Sequence, residues 1–161
     1  MNQTPLLKQP SDQRITYHER SWEQFKLIQK GFEGASGVRL SFYAGTIEIL
    51  MPGREHEFFS RIIGYLVMTF CFDKGIRCVP TGSMTQEKEG VSSVQVDESY
   101  CIGSSKPSPD LSIEVIFTSS GEAKLAKYQA IGCLKYGFGK MGASRSIIYT
   151  AVVTSEFNEV S

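Results

Sequence analysis

The sequence predicts a mixed α/β domain, a central β-sheet with helices packed against it. Three stretches carry that prediction. Residues 55–72 place Phe58, Phe59, Ile62, Ile63, Leu66, Val67 and Phe70 on one wide helical stripe. The run "VRLSFYAGTIEILMP" alternates Val38, Leu40 and Phe42, then Ile47 and Ile49, around "YAGT", the pattern of a β-hairpin. Third, "DLSIEVIFT" reads as a core strand leading into the helical "EAKLAKYQAIG".

Taken in order, residues 1–15 are polar, hold two prolines and read as a flexible N-terminal tail. In "SWEQFKLIQKG", Ser21 and Gln24 have the capping-box spacing and Gly31 is a natural stop, which predicts a helix over 21–30. The hairpin and the long helix follow. "IRCVPTGSMTQ" and "SSVQVDESYCI" each read as a strand, and "GSMTQEKEG" as a polar tip without chemistry. The core strand and the last helix complete the order.

A chain of 161 residues suits one domain, and burying roughly two-thirds of its unfolded surface supplies a sizeable core. Seventeen basic and seventeen acidic side chains cancel, so nucleic acid is not drawn by the whole chain and DNA binding needs a local basic patch. The longest apolar run, "IIGYLVMTFCF", is about eleven residues and too short to cross a bilayer, so no membrane partner is expected. Cys71, Cys78, Cys101 and Cys133 form no CxxC pair and no finger spacing with the two histidines. Reduced thiols and a cytoplasmic location are the expectation.

The core strand is chemically odd, because an unpaired buried carboxylate costs several kcal/mol and this strand carries two acids. Alternation puts Asp110, Ser112 and Glu114 on one face and Leu111, Ile113 and Val115 on the other. Upstream, Gln95, Asp97 and Ser99 share a face opposite Val94 and Val96. If the two strands are neighbours, Asp97 and Glu114 converge on a single hard cation, of the kind Mg²⁺ is held by. Asp97 and Asp110 equally fit strand ends whose acids meet solvent, whereas Glu114, flanked by Ile113, Val115, Ile116 and Phe117, does not. On the following helix Lys124 lies beside the inward seam of Leu125, Tyr128 and Gly132, with Lys127 farther round. Both fit solvated lysines, and Lys124 also fits a group that steadies charge on a phosphate. His56 opens the long helix in phase with Phe59 and Ile63, as a structural hydrogen-bonder or a catalyst, and Glu57 on the same turn fits either an extra metal-side acid or a favourable charge at the helix amino end.

Together "VQVDESY", "PDLSIEV" and "KLAKYQAIG" resemble the Uma-type family of putative restriction endonucleases, in the PD-(D/E)XK nuclease superfamily. The resemblance extends from "SWEQFKLI" through "MPGREHEFFSRII" to "YQAIG". It implies a restriction endonuclease-like core with a central mixed sheet flanked by helices, cutting DNA with Mg²⁺ or Mn²⁺. Asp97 matches the first metal-binding acid and Glu114 the acid of the (D/E)XK element. The lysine two residues later is replaced by Ile116, and Lys124 matches the "KL..Y" position to which that role has moved. Asp110 matches the family's "PDL" and His56 its helix-opening histidine.

The domain so outlined spans residues 16–132. Beyond it such proteins usually continue into a tryptophan-rich strand resembling "VPEVWFWEDG", whereas this chain reads "CLKYGFGKMGASRSIIYTAVV". Codons exist for "GCLKYGFGKMG" that give "PEVWFWEDG" one base earlier, so residues 133–161 are expected to be a frameshifted tail; the other reading makes "RSIIYTAVV" a genuine last strand. The expected activity is Mg²⁺-dependent hydrolysis of DNA phosphodiester bonds, by a chain able to act as a homodimer. A catalytically inactive nuclease-like scaffold, or a decaying gene product, is the alternative.

Overall fold

The computed structural model of the protein describes residues 12–116, 121–132, 135–141 and 147–153, with side chains described over 12–116 and 126–132. In chain order the elements are β1 (Gln13–Tyr17), α1 (Trp22–Gly31), β2 (Arg39–Tyr43), β3 (Thr46–Met51), α2 (Arg54–Asp73), β4 (Cys78–Pro80), β5 (Thr85–Lys88), β6 (Ser92–Gln95), β7 (Glu98–Ile102), β8 (Leu111–Ile116), α3 (Gly121–Ile131), β9 (Lys135–Met141) and β10 (Ile147–Val153). The class is α+β. A single mixed sheet was expected; the strands form two five-stranded sheets instead, β1-β3-β2-β6-β5 and β4-β7-β8-β10-β9. Every registered pair is antiparallel.

Local chemistry sets most of the boundaries. The capping box of α1 is formed: Gln24 N–H donates to Ser21 Oγ at 3.3 Å, and Ser21 N–H donates to Gln24 Oε1 at 3.0 Å. The β2–β3 hairpin turns on Ala44 and Gly45, both at positive φ (46° and 72°), as a two-residue turn requires. Tail-like polarity misplaced the start of the fold: Gln13–Tyr17 is an exposed edge strand on β3, not part of a tail reaching residue 15. Residues 1–11 of that tail lie outside the described residues.

The two stretches predicted as single strands both change sheet partway. "IRCVPTGSMTQ" divides at Gly82 (φ 70°) into β4 and β5. "SSVQVDESYCI" divides at Val96–Asp97 into β6 and β7, so the chain passes from one sheet to the other there. Alternation cannot show this, because a strand that switches partners keeps its period of two. The predicted polar tip contains β5, whose Glu87 pairs with Lys26 of α1 at 3.1 Å. Within the stretch predicted as a tail, Ile147–Val153 lies antiparallel beside β8.

Three apolar clusters hold the layers. Phe25 of α1 packs on Leu40, Phe42, Ile47 and Ile49, with Trp22 at the rim. Ile63 of α2 packs on Tyr100, Ile113 and Val115. Tyr128 of α3 packs on Val94 and Val96. The face split predicted for β8 therefore holds: Ile113 and Val115 turn to α2, and Glu114 turns away from it.

Gly64 lets α2 lie close on β7, since a Cβ there would sit 2.8 Å from Tyr100 Oη. Tyr100 is buried and its ring cannot swing clear. Gly64→Ala gains up to about 1 kcal/mol of helix propensity but overpacks by about 1–3 kcal/mol. A lower urea midpoint is expected, and an unchanged or higher one would show that the contact is not tight.

Among the described residues, Cys71, Cys78 and Cys101 carry free thiols, and burial first, then Cys71, pushes Cys78 up to about 12. No helix among the described residues is long and apolar enough to cross a membrane.

Candidate functional site

Glu114 sits mid-strand in β8, buried, and faces a cleft between β2, β3, β6 and α3. Tyr128 of α3 donates its hydroxyl to Glu114 Oε2 at 3.0 Å. The cleft is narrow, with a cavity volume of about 20 Å³, and its polar lining is Arg39, Ser41, Glu48, Gln95, Lys127 and the Glu114–Tyr128 pair. Lys127 Nζ donates to Ser41 Oγ at 2.8 Å and lies 3.6 Å from Glu48 Oε1. Two carboxylates and two cations therefore share one partly dry space, where charges act more strongly than in water.

Asp97 lies where the chain changes sheet. The β7–β8 register runs Glu98 to Ile113 and Ser99 to Ser112, so its next step sets Asp97 opposite Glu114. The two strands are neighbours, as their convergence required. Asp97 N–H donates to Ile113 O at 3.2 Å, and Val115 N–H donates to Asp97 Oδ2 at 2.8 Å. The carboxylate thus takes the N–H that a continuing strand would have paired. It does not line the cleft; the second carboxylate there is Glu48.

His56, in the first turn of α2, is buried between two acids: Nε2 is 2.9 Å from Asp97 Oδ2, and Nδ1 is 2.9 Å from Asp12 Oδ2. Burial lowers its pKa, but the hydrogen bonds and charges of Asp12 and Asp97 outweigh that and raise it to about 9. At neutral pH His56 is an imidazolium donating from both nitrogens. Asp12 Oδ1 also accepts the Gly53 N–H at 2.8 Å, so one acid ties down the residue that precedes α2 and orients its histidine. Arg39 completes the group, with Nε 3.7 Å from Asp97 Oδ1 and Nη2 3.3 Å from Glu57 Oε1. Arg39 also lines the cleft, so it connects Asp97 with Glu114's surroundings. Glu98, beside Asp97, is pushed up by burial and then by the Asp97 charge.

The His56 shift has a consequence for stability. Its folded pKa lies above the ordinary value of 6.5, so its contribution is fully present below about pH 6.5 and is lost as pH rises through about 9. The shift corresponds to on the order of 3 kcal/mol. Urea midpoints are expected to fall between pH 7 and pH 10, and to fall less in His56→Gln; equal slopes in the two proteins would contradict the imidazolium.

Asp110 is elsewhere. Its Oδ2 accepts the Ile102 N–H at 2.7 Å, both oxygens accept from Lys106 Nζ (2.8 and 2.7 Å), and its own N–H donates to Tyr100 O at 2.9 Å. It latches the β7–β8 connection. Neither Asp97 nor Asp110 reaches solvent as a strand-end acid, since both are buried and bonded. Lys124 belongs to α3, but its side chain lies outside the described residues. Lys127, expected farther round the helix, is the lysine seen in the cleft and is not a solvated helix lysine.

Sequence reasoning missed Glu48, Arg39, Asp12 and the Tyr128 hydrogen bond. Glu48 carried a usable signal: like Glu114, it is a lone acid inside an apolar strand, "TIEILM". Among the described residues, no three His, Cys, Asp or Glu side chains converge to form a metal cage. Comparison of the chain with protein-family models, with curated proteins and with solved structures finds no match.

Proposed function

We propose that the chain is a Mg²⁺- or Mn²⁺-dependent DNA endonuclease with a restriction endonuclease-like core, the reading its sequence resemblance implies. The observation that supports it best is Glu114, a buried mid-strand acid that opens on a cleft containing Lys127 and Arg39. A core strand bears such an acid at a cost, and the lysine and arginine beside it offer charge-assisted hydrogen bonds to a phosphate-bearing ligand.

Mg²⁺ is commonly held by one or two carboxylates with water and substrate phosphate oxygens completing the shell. Glu114 would hold it from the cleft; Asp97 does not line the cleft, and its Oδ1 could join Glu114 on the cation only by leaving Arg39. Such a cation, when bound, polarises the phosphorus centre and lowers the pKa of water. The chain's own groups do the rest. Tyr128 orients the Glu114 carboxylate through its 3.0 Å hydrogen bond. Lys127 and Arg39 are the cations of the cleft, matched in number by Glu48 and Glu114, so phosphate contacts rest on these two side chains and not on a basic patch. Lys124 has the role of steadying charge on the phosphate.

One observation favours the alternative, an inactive nuclease-like binding scaffold: Asp97 Oδ2 is taken up by His56 and the Val115 N–H, and Oδ1 already faces a guanidinium. Incubating supercoiled plasmid with the protein separates the two. The nuclease reading expects nicked circles with Mg²⁺ or Mn²⁺ and none with EDTA. Intact plasmid under every metal condition, with no heat of Mg²⁺ binding, would leave the scaffold.

A further inference from the structure

The Glu114 cleft is too tight to admit a phosphate as it stands. Its volume of about 20 Å³ has room for a single water, which needs about 10–15 Å³. A ligand therefore reaches Glu114 and Lys127 only by displacing a side chain that now fills the space.

Most of the lining is fixed. Arg39 faces Asp97 and Glu57, and Tyr128 is buried with its hydroxyl on Glu114. Glu48 differs. The acids that hold this fold together each accept a backbone N–H at short range: Asp12 from Gly53 at 2.8 Å, Asp97 from Val115 at 2.8 Å and Asp110 from Ile102 at 2.7 Å. Among the described residues Glu48 has no such bond. Its carboxylate stands between two cations, with Arg14 Nη1 at 3.3 Å and Lys127 Nζ at 3.6 Å. Both distances exceed the roughly 2.7–2.9 Å of a charge-assisted hydrogen bond.

The strand register gives that carboxylate somewhere to go. β1 and β2 flank β3, with Thr16 and Ser41 opposite Glu48, and with Arg14 and Arg39 both opposite Leu50. All of these share the cleft face of the sheet. β1 is the exposed edge strand, and the Arg14 side chain is 31% exposed against 13% for Lys127. An ion pair as wet as Arg14–Glu48 costs little to rearrange. Glu48 is thus free to turn outward with Arg14, leaving Lys127 held by Ser41 at 2.8 Å.

We propose that Glu48 gates the cleft for anions: its carboxylate occupies the place of a DNA backbone phosphate on Lys127, and a phosphate enters by displacing it toward Arg14. The gate rests on the phosphate-binding reading and adds to it the residue that sets affinity.

Binding of a short fluorescent DNA duplex in EDTA, followed by anisotropy, is expected to tighten about tenfold in Glu48→Gln, because a like charge beside the phosphate is gone. One more phosphate contact is expected to steepen the fall of log affinity with log salt by about 0.9. Adding Lys127→Gln is expected to abolish both gains. Glu48→Asp, one methylene shorter and so farther from Lys127, is expected to tighten binding less, and it decides if the Gln variant fails to fold. Equal or weaker binding by the folded variants overturns the gate and makes Glu48 the counter-ion that keeps Lys127 in place. If the parent still nicks plasmid with Mg²⁺ in that case, the nuclease reading stands without the gate. If neither parent nor variant binds DNA, both fall.

Discussion

Glu114→Gln is expected to remove metal-dependent plasmid nicking, by about a thousandfold or more, while leaving the melting temperature unchanged or raised. Gln keeps the volume and an oxygen able to accept the Tyr128 hydroxyl, so the 3.0 Å hydrogen bond survives the exchange. What disappears is the negative charge, and with it a hard anionic oxygen of the kind Mg²⁺ requires. A metal ion supplies several kcal/mol of transition-state stabilisation, and each 1.36 kcal/mol is tenfold in rate, which sets the expected loss. Stability moves the other way because a buried carboxylate bears a desolvation cost that an amide does not. A merely structural Glu114 would show the opposite pattern, with melting temperature reduced and nicking little changed. Nicking assays and thermal melts on the same preparations distinguish the two, and parental rates in the variant would take Glu114 out of the chemistry.

How much of this was legible in the sequence depends on whether a feature is fixed locally. The α1 cap, the hairpin on Ala44–Gly45 and the two faces of β8 follow from spacing alone, and the structure has each of them. The sheet change at Val96–Asp97 does not follow, because it is decided by a side chain: Asp97 takes up the Val115 N–H where the strand breaks off. No pattern of apolar residues records that substitution. Asp12 was hidden for a different reason. It lies in a polar, proline-bearing segment, and its importance comes from contacts such as those with Gly53 and His56, more than forty residues away. Lys127 read as a solvated lysine because its position lies about 100° round α3 from Tyr128, yet its ammonium reaches Ser41 and the cleft. A lysine's long stem also carries its charge well away from its own helical position. Glu48 is different: the lone-acid reasoning that singled out Glu114 applies to it unchanged.

Asp97→Ala is expected to damage the fold before it affects any reaction, costing about 3–5 kcal/mol in urea unfolding at pH 7. The sequence alone gives no reason to expect this, since an acid at a strand end is replaceable. In the structure the carboxylate is surrounded: His56 at 2.9 Å, the Val115 N–H at 2.8 Å and Arg39 at 3.7 Å all face it. Alanine leaves the Val115 N–H without its acceptor, which alone costs about 1–3 kcal/mol. It also removes one of the two carboxylates hydrogen-bonded to the buried imidazolium, leaving the Asp12 contact in place. The His56 proton is then held less strongly, so the histidine should titrate closer to neutrality. A domain of this size commands about 5–15 kcal/mol in all, so the variant sits near the edge of folding. Removing His56 as well tests the coupling. If the cost arises from an uncompensated buried charge, Asp97→Ala with His56→Ala should cost clearly less than the two single changes added together. Additive losses, or a loss under about 1 kcal/mol for Asp97→Ala alone, would mean that the carboxylate is held in place by the fold without holding it together. Only in that case would the lost nicking of an Asp97 variant report directly on metal binding, which is why its unfolding must be measured before its activity is interpreted.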